Sequence, residues 1–243
     1  MTKEEFILEC KNINIDITDE LYNKLDRYKE LLIEWNKKFN LTTIIEEKDI
    51  YLKHFFDSLY LSTECNFDNK KICDIGTGAG FPGMVLAIVF DNGNFTLMES
   101  NNKKILFLEA VKSELNLENV NVISARAEDY GKKNREIFDV ITCRAVSALN
   151  IILELSTSML KVNGLFIPMK SSVEEELKNA KNNIDKLSYK LIKEVSYELP
   201  IENSKRTILV FEKYKSTDSK YPRNYNVIKK QYLCYCFLYD MIF

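Results

Sequence analysis

A single histidine among 243 residues removes several chemistries at once. His54 by itself leaves no material for a His-rich metal site, and it disfavours a hydrolase built on a serine–histidine–aspartate triad. The six cysteines, at 10, 65, 73, 143, 234 and 236, contain no C-x-x-C pair and fall mostly inside apolar runs. They read as reduced thiols of a cytoplasmic protein, not as a disulfide frame or a zinc site, so no metal is expected. No apolar run reaches the roughly 18 residues of a membrane span. Met1-Thr2-Lys3-Glu4-Glu5 lacks the basic-then-apolar order of a secretory signal. The formal net charge of −2 gives no global basic excess for nucleic acid, although a local basic face works within a neutral total. Glycine is scarce too, seven in all, yet four of the seven stand at 76, 78, 80 and 83.

That cluster is the strongest local signal. A short β-type run, 70–75, ends in Cys73-Asp74-Ile75 and passes into Gly76-Thr77-Gly78-Ala79-Gly80-Phe81-Pro82-Gly83. Pro82 suits a first helical position and opens the apolar segment Met84 to Phe90. Strand, glycine turn and helix begin a doubly wound α/β unit whose glycines let backbone approach a ligand. A dinucleotide fingerprint needs G-x-G-x-x-G, and the place of its third glycine is held here by Phe81. Asp74 beside the loop is a poor neighbour for phosphate and a good one for a cation. S-adenosylmethionine, with its sulfonium and ammonium and no phosphate, fits better.

Along the chain, residues 1–66 read as helical. Thr18 caps a helix on which Leu21, Leu25, Tyr28, Leu32, Trp35 and Phe39 recur at helical spacing. Asp49 to Leu61 reads as another helix. Strands are expected at 70–75, 95–99, 120–124, 138–143 and 165–169, with helices near 82–90, 101–116, 148–161 and 173–187. Lys193 to Leu199 and Thr207 to Glu212 suggest a terminal hairpin. The pattern predicts an α/β fold: a Rossmann-like seven-stranded class I methyltransferase sheet with an N-terminal helical extension. Its divisions are 1–66 (helical segment), 67–214 (S-adenosylmethionine-binding core) and 215–243 (a basic, then apolar tail).

Ligands of open α/β sheets bind beyond the carboxyl ends of the strands. The first strand delivers Asp74, Gly76, Gly78, Gly80 and Phe81. The second delivers Glu99, a carboxylate able to accept both ribose hydroxyls; supporting the next helix is its alternative role. The third delivers Ala127, small enough for an adenine to approach the backbone, and Glu128 or Asp129, either of which can meet the exocyclic amine; a solvated surface turn is the alternative. The fourth delivers Cys143-Arg144-Ala145-Val146 in place of the Asn/Asp-Pro-Pro-aromatic motif of exocyclic-amine methyltransferases, which disfavours adenine N6 as the acceptor.

Together, Asp74 to Gly83, Glu99-Ser100 with Lys103-Lys104 and Phe107-Leu108, Arg126-Ala127-Glu128 and Phe138 to Ala145 closely resemble the bacterial 16S rRNA (guanine-N7)-methyltransferases, the glucose-inhibited division protein B group. Leu31 to Thr42 and His54 to Leu59 match the helical segment of that family, and the resemblance spans roughly residues 20 to 228. It implies S-adenosylmethionine contacts at Gly76, Phe81, Ala127, Glu128 and Arg144, with Glu99 where the family usually has aspartate. It also implies 16S rRNA or the small ribosomal subunit as partner. Guanine N7 has a lone pair and no proton to lose, so catalysis by positioning is expected, with Arg144 orienting base or cofactor and no general base. A monomer away from membranes is expected. Two alternatives stay open: the same fold acting on another RNA or a small molecule, and a non-catalytic cofactor-binding regulator.

Candidate phosphate contacts are Lys103-Lys104, Lys132-Lys133, Lys170, Lys205-Arg206 and the run Lys213 to Lys230, with six basic residues and one acid. His54 with Asp57 suggests a structural hydrogen-bonding pair. The apolar ending 231–243 departs from the family, whose members close on a short basic segment.

Overall fold

The computed structural model describes residues 1–171 and 173–239. Helices α1 (Lys3–Asn12) and α2 (Asp19–Phe39) come first. Thr18 caps α2 by accepting the Leu21 N–H at 3.2 Å, with Asp19 and Glu20 in the positively polarised first turn. The expected second helix is a composite: α3 (Glu47–Asp49), a π-helical turn (Ile50–Phe56), α4 (Asp57–Leu59) and a 3₁₀ turn (Tyr60–Thr63). An α-helix hides one stripe, whereas Ile50, Tyr51, Leu52, His54, Phe55 and Phe56 are all buried. The wider winding is a local irregularity of the kind found at functional sites.

The α/β part follows as β1 (Lys71–Ile75), α5 (Gly83–Val89), β2 (Asn94–Glu99), α6 (Asn102–Glu114), β3 (Val120–Ser124), α7 (Ala127–Lys133), β4 (Phe138–Arg144), α8 (Leu149–Thr157), β5 (Leu160–Lys170), α9 (Glu174–Lys186), β6 (Tyr189–Glu198), β7 (Lys205–Lys213) and α10 (Tyr225–Tyr239). One seven-stranded sheet runs β3-β2-β1-β4-β5-β7-β6, parallel through β5, with β7 inserted antiparallel between β5 and β6. The strand order reverses between β1 and β4, so their carboxyl ends open the crevice where such sheets bind ligands. The fold is the α/β, Rossmann-like seven-stranded sheet expected. Two helices add to the expected set, α7 after β3 and α10 within the segment read as a tail. Several boundaries differ: the helix expected at 148–161 ends at Thr157, and β6 begins at Tyr189 instead of Lys193. Pro82 caps α5 from outside, and the helix begins at Gly83. Strand β5 starts five residues early, at Leu160, because a register shift opposite Phe138 and Val140 carries the polar Lys161-Val162-Asn163-Gly164 along the sheet.

The helical segment and the sheet share one core. Phe6, Leu25, Tyr28 and Phe55 are fully buried in the same cluster as Ile72, Met84 and Phe107. The fully buried Tyr28 hydroxyl donates to the Ala79 carbonyl, fixing the glycine turn from α2.

The C-terminal segment closes on the other face. Tyr221, Ile228 and Tyr232 join a second cluster with Leu153 and Leu155 of α8. Arg223 donates from Nε and Nη2 to Glu154 at 2.8 and 2.6 Å, and the Tyr232 hydroxyl donates to the same carboxylate. Two cations considered for RNA are therefore internal: Arg223 serves Glu154, and Lys213 is fully buried, donating to Glu136 and to the Thr157 and Leu160 carbonyls. Residues 240–243 of the apolar ending lie outside the described residues. Because Glu154 is fully buried, Arg223→Ala strands a charge. It is expected to cost about 2 kcal/mol, reduced for the partial exposure of Arg223, and to lower the melting midpoint by roughly 4–8 °C in calorimetry.

Candidate functional site

Asp74 builds the glycine turn. It is buried at the end of β1, and its Oδ2 accepts the Thr77 hydroxyl at 2.6 Å and the Gly83 N–H at 2.8 Å. A Cβ on Gly83 would lie 2.8 Å from that same oxygen, so only glycine lets the start of α5 come so close. Burial pushes the Asp74 carboxyl up to about 7 despite these donors. Its Oδ1 is buried with no hydrogen-bond partner among the described residues.

The turn leads into a cavity of about 270 Å³ at the strand ends, walled by Ile75 at the end of β1 with Gly76, Glu99 at the end of β2, Ala127 and Glu128 after β3, and Ala145 to Ser147 after β4. Gly76 holds φ +65°, and a Cβ there would stand 2.9 Å from Val146 Cγ2. Glu99 takes the supporting role and also lines the cavity. It braces the turn and the next helix by accepting the N–H groups of Gly78 (3.1 Å), Ser100 (2.7 Å) and Asn101 (2.9 Å), and it faces the cavity.

Phe81 stands elsewhere. It is buried with its ring stacked on His54 at 4.1 Å and packed near Tyr28 and Phe55, away from this cavity wall. Gly78 meets Glu99 through its backbone and is likewise absent from the wall. Arg144 lines a second, neighbouring cavity of about 600 Å³. The two cavities share Ala145, Val146 and Ser147, and Ala145 holds a left-handed φ of +54° at that partition.

Arg144 is tied down by the π-helical turn. Its Nη1 donates to the Lys53 carbonyl at 2.9 Å and to Asp57 Oδ2 at 2.8 Å, and its Nη2 lies 3.0 Å from His54 Nδ1. His54 and Asp57 thus meet through Arg144, not through each other. A guanidinium only donates, so His54 Nδ1 accepts, and Nε2 carries the proton toward Thr42 Oγ1 at 3.0 Å. Burial, then the Arg144 charge, hold the imidazole pKa down to about 3, consistent with that neutral tautomer. Asp57 Oδ1 accepts the Tyr197 hydroxyl at 2.7 Å, with Arg206 Nε at 3.6 Å. Helical segment, β4 and the β6–β7 hairpin meet at this one carboxylate.

Glu176 on α9, Ser147 and Tyr225 were not legible as site residues. Tyr225, from the segment expected to be a tail, lines the first cavity.

Comparison with known proteins adds the lineage. The family model for rRNA small subunit methyltransferase G matches residues 21–205. The chain belongs to this family. Proteins named ribosomal RNA small subunit methyltransferase G are similar over nearly full lengths. That of Lysinibacillus sphaericus is 42% identical over 95% of this chain and 98% of its own. That of Fusobacterium nucleatum is 44% identical over 94% and 99%. Among solved structures, M. jannaschii TYW2 in complex with AdoMet superposes with a TM-score of 0.55 at 18% identity, covering 70% of this chain and 79% of its own. A SAM-dependent methyltransferase from Aquifex aeolicus gives 0.52 at 15%, covering 69% and 94%. These two share the fold. The cavity residues of this chain suit an adenosylated cation: the carboxylates of Glu99 and Glu128, and a turn at Gly76 with no room for a Cβ.

Proposed function

We propose that the chain methylates N7 of a guanine in 16S rRNA, using S-adenosylmethionine bound in the smaller cavity and seating the base in the larger one. The observation that carries this reading is the pair of adjoining cavities with one partition. On one side stand Glu99 and Glu128, with Lys104 and Arg126 also on the wall. On the other stand Lys53, Arg144, Lys170 and Arg206, with the carboxylates of Asp57 and Glu176 among them. Carboxylates suit ribose hydroxyls, an adenine amine and a cationic ligand, while the cations suit RNA phosphates and a base carbonyl.

When bound, S-adenosylmethionine supplies a methyl group on a positively charged sulfur. Glu99 would hold the ribose hydroxyls and Glu128 the adenine amine, with Ala127 small enough to leave room for the ring. Gly76 and Gly78 keep the turn low, and Asp74 holds it from beneath. Phe81 acts by packing on His54, which in turn fixes Arg144. Arg144 orients the guanine across the partition. Guanine N7 has a lone pair and no proton to lose, so these residues would have only to align it with the sulfonium methyl group, and no side chain would have to take a proton. Rate acceleration then comes from alignment, without a general base. The protein acts as a monomer in the cytoplasm, where its ribosomal substrate lies.

The test is incubation of the purified protein with methyl-labelled S-adenosylmethionine and small ribosomal subunits, either lacking or already carrying the modification. Label at a single guanine N7, only in the unmodified subunits, is expected. Label confined to small molecules, or cofactor binding without transfer, would overturn the reading.

A further inference from the structure

The larger cavity contains an ion pair that the proposed reaction has not used. Lys170, at the end of β5, donates from Nζ to the Ser147 carbonyl at 2.7 Å and forms an ion pair with Glu176 Oε2 at 2.8 Å. Glu176 Oε2 also accepts the Leu149 N–H at 2.8 Å, so α9 reaches across to cap α8. The Lys170 side chain is 11% exposed and that of Glu176 34%. Both line the cavity beside the partition, and Ser147 belongs to both cavities.

Donor arithmetic shows what remains. An ammonium has three protons, and two of those on Lys170 are committed. A carboxylate has two oxygens, and the bonds to Glu176 fall on Oε2. The second carboxylate of the cavity, Asp57, is spent: it is 2% exposed, with Arg144, Tyr197 and Arg206 around it. The pair therefore offers one donor next to one acceptor.

We propose that Lys170 and Glu176 read the target guanine, Lys170 donating to O6 and Glu176 accepting N1–H. This rests on the functional reading above. Guanine presents an acceptor, O6, next to a donor, N1–H; adenine presents the reverse, so a Lys–Glu pair accepts one and opposes the other. N7 lies on the far side of O6 from N1, so an edge held in this way leaves N7 open toward the partition. The grip also tightens during reaction. As N7 takes the methyl group and S–CH₃ breaks, the purine gains the positive charge that sulfur loses, and its N1–H becomes a stronger donor to the Glu176 carboxylate. An interaction stronger in the transition state than in the ground state raises kcat.

Glu176→Gln separates this role from bracing. Glutamine keeps a carbonyl oxygen for Leu149 N–H or Lys170 but carries no charge. With small subunits lacking the modification, the variant is expected to lower kcat about 30-fold, with KM and S-adenosylmethionine Kd within about threefold of the parent. A kcat within threefold of the parent overturns the proposal whatever KM does. A fall in cofactor affinity or melting midpoint alongside transfer also overturns it, because the pair then only braces the partition. If the parent protein itself labels no guanine, the functional reading fails and takes this one with it.

Discussion

Replacing Arg144 by alanine is expected to reduce methyl transfer at least about 100-fold and to destabilise the protein by about 3 kcal/mol. The two losses have different origins. Transfer falls because the guanidinium is held by three groups of the helical segment at the mouth of β4, where it sets the geometry across the partition; misplacement on the scale of an ångström costs a factor of about 100. Stability falls because the Asp57 carboxylate, with a side chain 3% exposed, loses its 2.8 Å partner. Breaking such a buried pair costs roughly 3–5 kcal/mol; at the lower end of that range the melting shift is roughly 6–12 °C for a chain of this size. Removing both charges, in Arg144→Met with Asp57→Asn, is expected to recover much of the stability and none of the transfer. Arg144→Lys is expected to resemble alanine in transfer, since an ammonium lacks the planar fork that bridges Lys53, His54 and Asp57. Calorimetry and single-turnover labelling on the same preparations check both halves. Recovery of transfer in the double variant would remove Arg144 from the site.

Glu99→Ala is expected to weaken S-adenosylmethionine binding by at least about 100-fold while the protein stays folded. The carboxylate accepts three backbone N–H groups, from Gly78, Ser100 and Asn101, and so shapes the turn as well as facing the cavity. Removing it leaves those donors and the ribose hydroxyls without their charged acceptor. At about 1.5–3 kcal/mol for each charge-assisted bond, the loss of two to the ligand corresponds to roughly two to four decades in Kd. Glu99→Asp, which restores the residue usual in the family, is expected to bind within about tenfold of the parent. Isothermal titration with the unreacted cofactor gives both numbers. A Glu99→Ala Kd within threefold of the parent would make Glu99 a helix brace only.

The legible parts of this molecule are those governed by local rules. Thr18 with Asp19 and Glu20 announces α2, and the buried run before Gly76 announces a central parallel strand flanked on both faces. Glu99, Ala127 and Glu128 could be named because the end of a strand in a doubly wound sheet is a place defined by order along the chain. Phe81 lies on the same turn, yet its ring is drawn into the aromatic packing of Tyr28, His54 and Phe55, which lie far away in sequence. Glu176 was invisible for a similar reason. In Glu174-Glu175-Glu176 it reads as one more acid in a helical first turn, and only the placement of α9 against α8 and β5 gives it Leu149 and Lys170 as partners.

By itself, then, the sequence determined the sheet, the glycine turn, the acids at successive strand ends and, through its joined motifs, the family. Those features depend on spacing along the chain, which local conformation converts directly into position. Tertiary structure alone decided that Arg144 answers to Lys53, His54 and Asp57, that Arg223 closes the C-terminal segment onto Glu154, and that two cavities share the wall 145–147. Each of these joins residues from separate elements, and a buried charge finds its partner only when packing brings the two elements together.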